Sequence, residues 1–127
     1  MEHHWKVENF GGVQMASWNE SGTKVAVISH NKIARYEIAR MCEPLVIPSR
    51  TFGERGKLLC CKWQSDEVLF FGGLFDCIFG VTQNGEIART VRPFMRTRDM
   101  VFASKSEIYA ISATRGYLTR YDLKEER

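Results

Sequence analysis

Lys57-Leu58-Leu59-Cys60-Cys61-Lys62-Trp63, then the polar break Gln64 to Glu67, then Val68-Leu69-Phe70-Phe71-Gly72-Gly73 read as two strands joined by a turn. The same figure returns on either side. Upstream, Val13-Gln14-Met15-Ala16-Ser17-Trp18 is followed by the turn Asn19 to Thr23 and by Lys24-Val25-Ala26-Val27-Ile28-Ser29-His30. Downstream, Asp99-Met100-Val101-Phe102-Ala103 leads through Ser104 to Ser106 into Glu107-Ile108-Tyr109-Ala110-Ile111-Ser112. Trp18 and Trp63 stand 45 positions apart, and Trp63 and Phe102 stand 39 apart. A recurring unit of this length is the first thing to settle in a sequence, because it dictates the architecture.

Each unit continues alike. Tyr36-Glu37-Ile38, Phe79-Gly80-Val81 and Tyr121-Asp122-Leu123 close a third strand, 11 to 13 positions after Val25, Val68 and Ile108 respectively. β-Branched and aromatic residues alternate with polar ones, and turn residues interrupt every run, which predicts strands throughout. A fourth strand follows two of the units. Asn84-Gly85 marks a hairpin, since both residues tolerate positive φ, and it leads into Glu86 to Arg92, which Pro93 halts. Pro44-Leu45-Val46-Ile47-Pro48 takes the same place after the first unit. Trp5-Lys6-Val7-Glu8-Asn9-Phe10 reads as an unpartnered strand before Gly11-Gly12.

Four-stranded units at this spacing resemble WD40-type β-propeller blades. Tyr121-Asp122-Leu123, after Arg120, resembles the Trp-Asp ending of such a blade, and Tyr36-Glu37-Ile38 a diverged copy of it. The likeness covers about residues 5 to 123. No unit carries the Gly-His pair, and Gly80 stands where the ending has an acid. Divergence of this kind is similar to the second propellers of coatomer-type and intraflagellar-transport scaffold subunits. The expectation is therefore an all-β chain of about three four-stranded blades, a partial or half propeller. It forms a single segment over 1–127, with units near 13–53, 56–94 and 98–123 and an N-terminal strand at 5–10. The competing reading is a small β-sandwich whose spacing is coincidental.

The 127 residues match one domain and, at 44% hydrophobic, are far from a disordered composition. No run reaches about 18 apolar residues, so no membrane-spanning helix is expected, and the polar start Met1 to Lys6 lacks a signal-peptide core. A cytoplasmic protein is the expectation. Cys42, Cys60, Cys61 and Cys77 fit reduced core thiols: Cys60 and Cys61 point to opposite faces of a strand, and no C-x-x-C spacing exists. His3 and His4 read as a solvated terminus, and neither a metal nor a cofactor is expected.

No nucleophile elbow, phosphate loop or metalloprotease motif occurs. Asp66-Glu67 and Glu125-Glu126 read as solvated turn and tail charges, so no catalyst is nominated. Gly72-Gly73 signals a bulge or close sheet packing. Trp18, Trp63, Phe70, Phe71, Phe75, Phe79 and Phe102 read as core. Binding has one sequence signal, two basic loops at matching positions: Arg50, Arg55 and Lys57 after the first unit, and Arg92, Arg96 and Arg98 after the second, with Arg89 just upstream. Net charge is only +3, so such a patch matters only if it gathers on one face. Guanidinium groups there suit an acidic peptide, a phosphate group or RNA.

Three blades leave apolar faces and a strand edge to be covered. The expected role is a non-catalytic scaffold or protein-interaction module, in a homodimer or larger complex, completing a propeller with another chain. A vesicle coat or transport scaffold is the setting the resemblance implies, with no direct membrane insertion. The alternative is an RNA- or phosphate-binding propeller module using the basic loops.

Overall fold

The computed structural model describes residues 2–125, and Glu126 of the tail pair lies outside the described residues. Three antiparallel sheets follow one another along the chain. The first is β1 (Met15–Trp18), β2 (Lys24–Ile28), β3 (Lys32–Glu37) and β4 (Leu45–Pro48). The second is β5 (Leu58–Trp63), β6 (Leu69–Gly73), β7 (Ile78–Val81) and β8 (Ile87–Val91). The third is β9 (Thr97–Ser104), β10 (Glu107–Ser112) and β11 (Leu118–Asp122). In each sheet the strands pair in sequence order, which is the meander the repeat predicts.

The alternation of side chains along the second sheet builds two cores at once. Cys61, Phe71 and Phe79 point toward the first sheet, where they meet Ala26, Ile28 and Ile33. Their neighbours Cys60, Phe70 and Ile78 point toward the third, against Met100, Ile108 and Ala110. Both faces are dry, so β6 and β7 are buried at every position. Burying a Phe or Ile side chain contributes roughly 1.5–3 kcal/mol, so the two cores clamp the sheets face to face. Aromatic rings fill the joints: Phe71 lies 5.4 Å from Phe79, and Phe70 meets Phe102 edge-on at 5.2 Å.

Local chemistry sets the turns. Gly85 adopts φ +81°, and its N–H donates to the Thr82 carbonyl at 3.0 Å, closing the hairpin that Asn84-Gly85 predicts. Gly80 has a packing reason: a Cβ there would lie 2.7 Å from the Phe70 ring. Opposite Gly72-Gly73 the pairing jumps from Leu58 to Cys60, a bulge on β5.

Several expectations are corrected. Residues 5–10 form no strand. Asn9 at φ 57° and Gly11 at φ 89° break the extended run. Phe10 instead packs onto Val25, Ala34 and Tyr36, on the face of the first sheet turned away from the second. The Lys32 ammonium donates to the Asn9 carbonyl and pins the segment across that face. Between segment and sheet runs an apolar groove of about 470 Å³. An apolar side chain removes more surface from water lying across a sheet face than paired along its edge. Trp18, expected in the core, is 60% exposed, because it pairs with Val25 and shares that outer face. Among the cysteines, all free, Cys42 is exposed while Cys60, Cys61 and Cys77 are buried. The third sheet has three strands, in keeping with the fourth strand that the sequence places after only the first two units.

Candidate binding surface

Antiparallel meanders place successive connections alternately at two ends of the sheets. One end gathers the loops at 29–31, 49–57, 74–77, 92–96 and 113–117, and backbone hydrogen bonds tie each to the next. Ser49 N–H donates to the Asn31 carbonyl (2.9 Å) and Leu58 N–H to the His30 carbonyl (2.7 Å). Leu74 N–H donates to Lys57 (2.9 Å), Phe94 N–H to Asp76 (2.7 Å) and Ala113 N–H to Arg96 (2.8 Å). Two glycines make the approach of the middle loops feasible. A Cβ at Gly56 would sit 2.1 Å from the Leu74 carbonyl oxygen, and one at Gly73 would sit 2.0 Å from that of Lys57. Backbone lies against backbone, and the loops are braced.

Arg50, Arg55, Lys57, Arg92, Arg96 and Arg98 are all exposed, the first five in loops of this end and Arg98 at the second position of β9. Arg92 is the one the structure engages. Its Nη2 lies 2.8 Å from Glu54 Oε1 and its Nη1 3.5 Å from Asp76 Oδ1, so it ties the loop after β8 to those after β4 and β6. The hydrogen bond to Glu54 holds the Arg92 guanidinium above its ordinary pKa. Cys77 Sγ, 3.3 Å from the same carboxylate oxygen, is pushed up to about 12 by burial and by the Glu54 bond, and stays a thiol that donates. Arg92 is thus neutralised within the protein, which removes it from the set of free cations. For Arg50, Arg55, Lys57, Arg96 and Arg98, no carboxylate among the described residues lies within ion-pair distance. Arg115, exposed on the hairpin at 113–117, joins them at the same end. Its loop joins two strands within the third sheet, unlike the two basic loops, which join successive sheets, so their spacing does not point to it. Arg89 lies apart, donating to the Leu123 carbonyl at 2.5 Å.

The opposite end is a set of joints between sheets. Asp66 and Glu67, expected to be merely solvated, bind the β1–β2 turn instead: Asp66 Oδ1 accepts from Ser21 N–H at 2.8 Å, and Glu67 pairs with Lys24 at 3.0 Å. The inner strands β1 and β5 run side by side, which brings these turns together. Below them Arg35, on β3, is 6% exposed. Its guanidinium stacks on Trp63 at 4.9 Å and donates to the carbonyls of Thr82 and Glu67, the latter at 3.3 Å. Burial lowers its pKa, while the charges of Glu67 and Glu37 act against that. Trp63 Nε1 donates to the Ser17 carbonyl at 2.9 Å. Nothing in the sequence marks Arg35, because its burial depends on the neighbouring sheet. Arg120 and Glu107 form a two-pronged pair at 2.8 and 2.5 Å. Among the described residues, no three of His, Cys, Asp and Glu stand close enough to hold a metal, and no helix is long and apolar enough to cross a membrane.

Neither family models nor curated proteins match this chain. Solved structures do. The C-terminal WD40 domain of Sif2 superposes at a TM-score of 0.64 and 12% identity, over 91% of this chain and 32% of that one. Hydrazine synthase of Kuenenia stuttgartiensis superposes at 0.73 and 8% identity, over 91% of this chain and 34% of that one. The chain spans about a third of the length of either structure. With sheets of four, four and three strands stacked face to face, this chain has the fold of part of a WD40-like β-propeller.

Proposed function

We propose that the chain works as a non-catalytic protein-interaction module, one portion of a WD40-like propeller that is completed by further protein. The observation that carries this reading is the open face of the third sheet. Val101, Ile111 and Leu118 stand on it at 55%, 51% and 70% exposure. Cross-strand pairing places Tyr109 beside Val101 and Leu118 beside Ile111, so the four form one apolar patch. The reverse face of the same sheet is packed in the core, and an equivalent outward face is what another blade covers in a propeller. The ionisable side chains support a non-catalytic role: Arg92, Lys24 and Arg120 are spent joining strands and sheets. The setting we propose is a vesicle coat or transport scaffold in the cytoplasm, after the likeness of the repeat endings to coatomer-type and intraflagellar-transport subunits. Contact with membranes then runs through partner chains.

Ile111→Asp tests the reading. The side chain is half exposed, and circular dichroism checks that the sheet tolerates a carboxylate opposite Asp99, while a buried unpaired carboxylate at an interface is strongly disfavoured. Native mass measurement of the unaltered chain is expected to show self-association or a co-purifying partner, lost in Ile111→Asp. A monomer without partners, identical in the variant, overturns the reading.

A further inference from the structure

We propose that the end carrying Arg50, Arg55, Lys57, Arg96, Arg98 and Arg115 is a docking surface for a carboxylate-rich segment of a partner protein. This deepens the reading as an interaction module and rests on it.

Charge is sorted along the strand direction. At this end Arg92 takes Glu54 and Asp76, and Asp99, which follows Arg98 on β9, accepts the Met100 N–H at 2.8 Å and lies within ion-pair distance of no cation among the described residues. The six remaining cations face water with no carboxylate among the described residues within ion-pair distance. At the opposite end Lys24 and Arg120 are paired, Arg35 is buried, and exposed Glu20, Glu37, Glu43 and Glu86 balance the rest. The modest net charge of +3 therefore hides a positive pole.

The pole is also built rather than loose. Arg55 and Lys57 flank Gly56, whose missing Cβ lets the loop abut the Leu74 carbonyl. The Lys57 and Arg96 carbonyls accept hydrogen bonds from Leu74 and Ala113, so the backbone under these cations is tied down on the neighbouring loop. Cations on a fixed backbone lose less freedom when a ligand arrives.

The ligand class follows from what the surface offers. Five of the six cations are arginines, whose planar fork matches a carboxylate with two parallel bonds. Within the protein itself Arg92 at this end already pairs with two carboxylates, Glu54 through Nη2 at 2.8 Å and Asp76 through Nη1 at 3.5 Å. Single-stranded RNA asks for stacking rings as well. Phe75 and Phe94 at this end are buried and Phe52 packs on Phe71 and Phe79; among the described residues of these loops the exposed rings are Tyr117 and His30, the latter hydrogen-bonded to Gln14 at 2.7 Å. The surface favours carboxylates over bases.

The test is fluorescence anisotropy of the full chain with a labelled peptide of glutamates spaced by glycines, its glutamine counterpart, and an oligouridine of equal length. Binding of the glutamate peptide, weakening as salt rises, is expected. Arg55→Glu with Arg96→Glu is expected to weaken it about tenfold or more, since two attractions become repulsions. Lys105→Glu, exposed at the other end, is expected to change it less than twofold. Circular dichroism confirms that both variants fold. No binding of the glutamate peptide, equal binding of the glutamine peptide, equal loss in Lys105→Glu, or tighter binding of the oligouridine each overturns the proposal. If the peptide fails while association sensitive to Ile111→Asp persists, the interaction module stands and this surface falls. If that association is also absent, both fall.

Discussion

Replacing Arg35 with Met tests whether a buried cation holds the first two sheets together. The change keeps a long unbranched stem and removes the guanidinium. It deletes the hydrogen bonds to the Thr82 and Glu67 carbonyls and the stack over Trp63. A net hydrogen bond from a charged donor contributes about 1.5–3 kcal/mol, and a desolvated cation–π contact about 1–2 kcal/mol. Two terms reduce that sum. Thr82 keeps a second donor, Gly85 N–H at 3.0 Å, so its carbonyl is not orphaned. Burial of the charge, seen in the lowered pKa, is relieved by the neutral side chain. The expected loss is about 2–4 kcal/mol, read as a lower midpoint in guanidinium chloride with an unchanged slope. Arg35→Lys keeps the charge but cannot reach both carbonyls in the same plane, so an intermediate loss is expected. A midpoint for Arg35→Met equal to that of the unaltered chain, within about 0.5 kcal/mol, refutes the reasoning: the cation is then an ornament of packing.

Close contacts and thiols carry three further predictions. Gly73→Ala forces a methyl group onto the Lys57 carbonyl oxygen, which is backbone and cannot swing aside. A loss of about 1–3 kcal/mol is expected from calorimetry, because inserted atoms strain a packed site by that much. Cys60, Cys61 and Cys77 are each pushed up to about 12, burial being the largest cause. An unfolded thiol ionises near pH 8.5 and these do so only near 12, so between those values the unfolded chain binds fewer protons and gains relative stability. Stability is therefore expected to be full below about pH 8.5 and to fall as pH rises toward 12, and serine substitutions at these positions should flatten that slope. Under native conditions iodoacetamide is expected to label Cys42 alone among the four, with mass spectrometry as the readout.

How much was legible in advance divides by the range of the interaction. The spacing of Trp18, Trp63 and Phe102 is carried by local alternation, so the strands and their order are read directly from it. The Asn84-Gly85 turn is equally local, since Gly85 needs φ +81° whatever surrounds it. The candidate surface was half legible. The basic loops stand out in sequence, but Arg92 carries its own counter-charges, Glu54 and Asp76, which lie 38 and 16 positions away. Arg115 is not marked by the repeat, because its loop joins strands within a sheet, whereas the other two join successive sheets.

By itself, then, the order of residues determined the repeat and the strand meander. These depend on period-two alternation and turn chemistry, which act over a few neighbours. Tertiary structure alone decided that Phe10 lies flat across a sheet rather than along an edge, that Arg35 is buried over Trp63, and that the arginines gather at one end. Each of those outcomes depends on which surfaces abut once sheets stack. A side chain's solvent, partners and charge state are set by neighbours tens of residues away, and these are absent until the chain has folded.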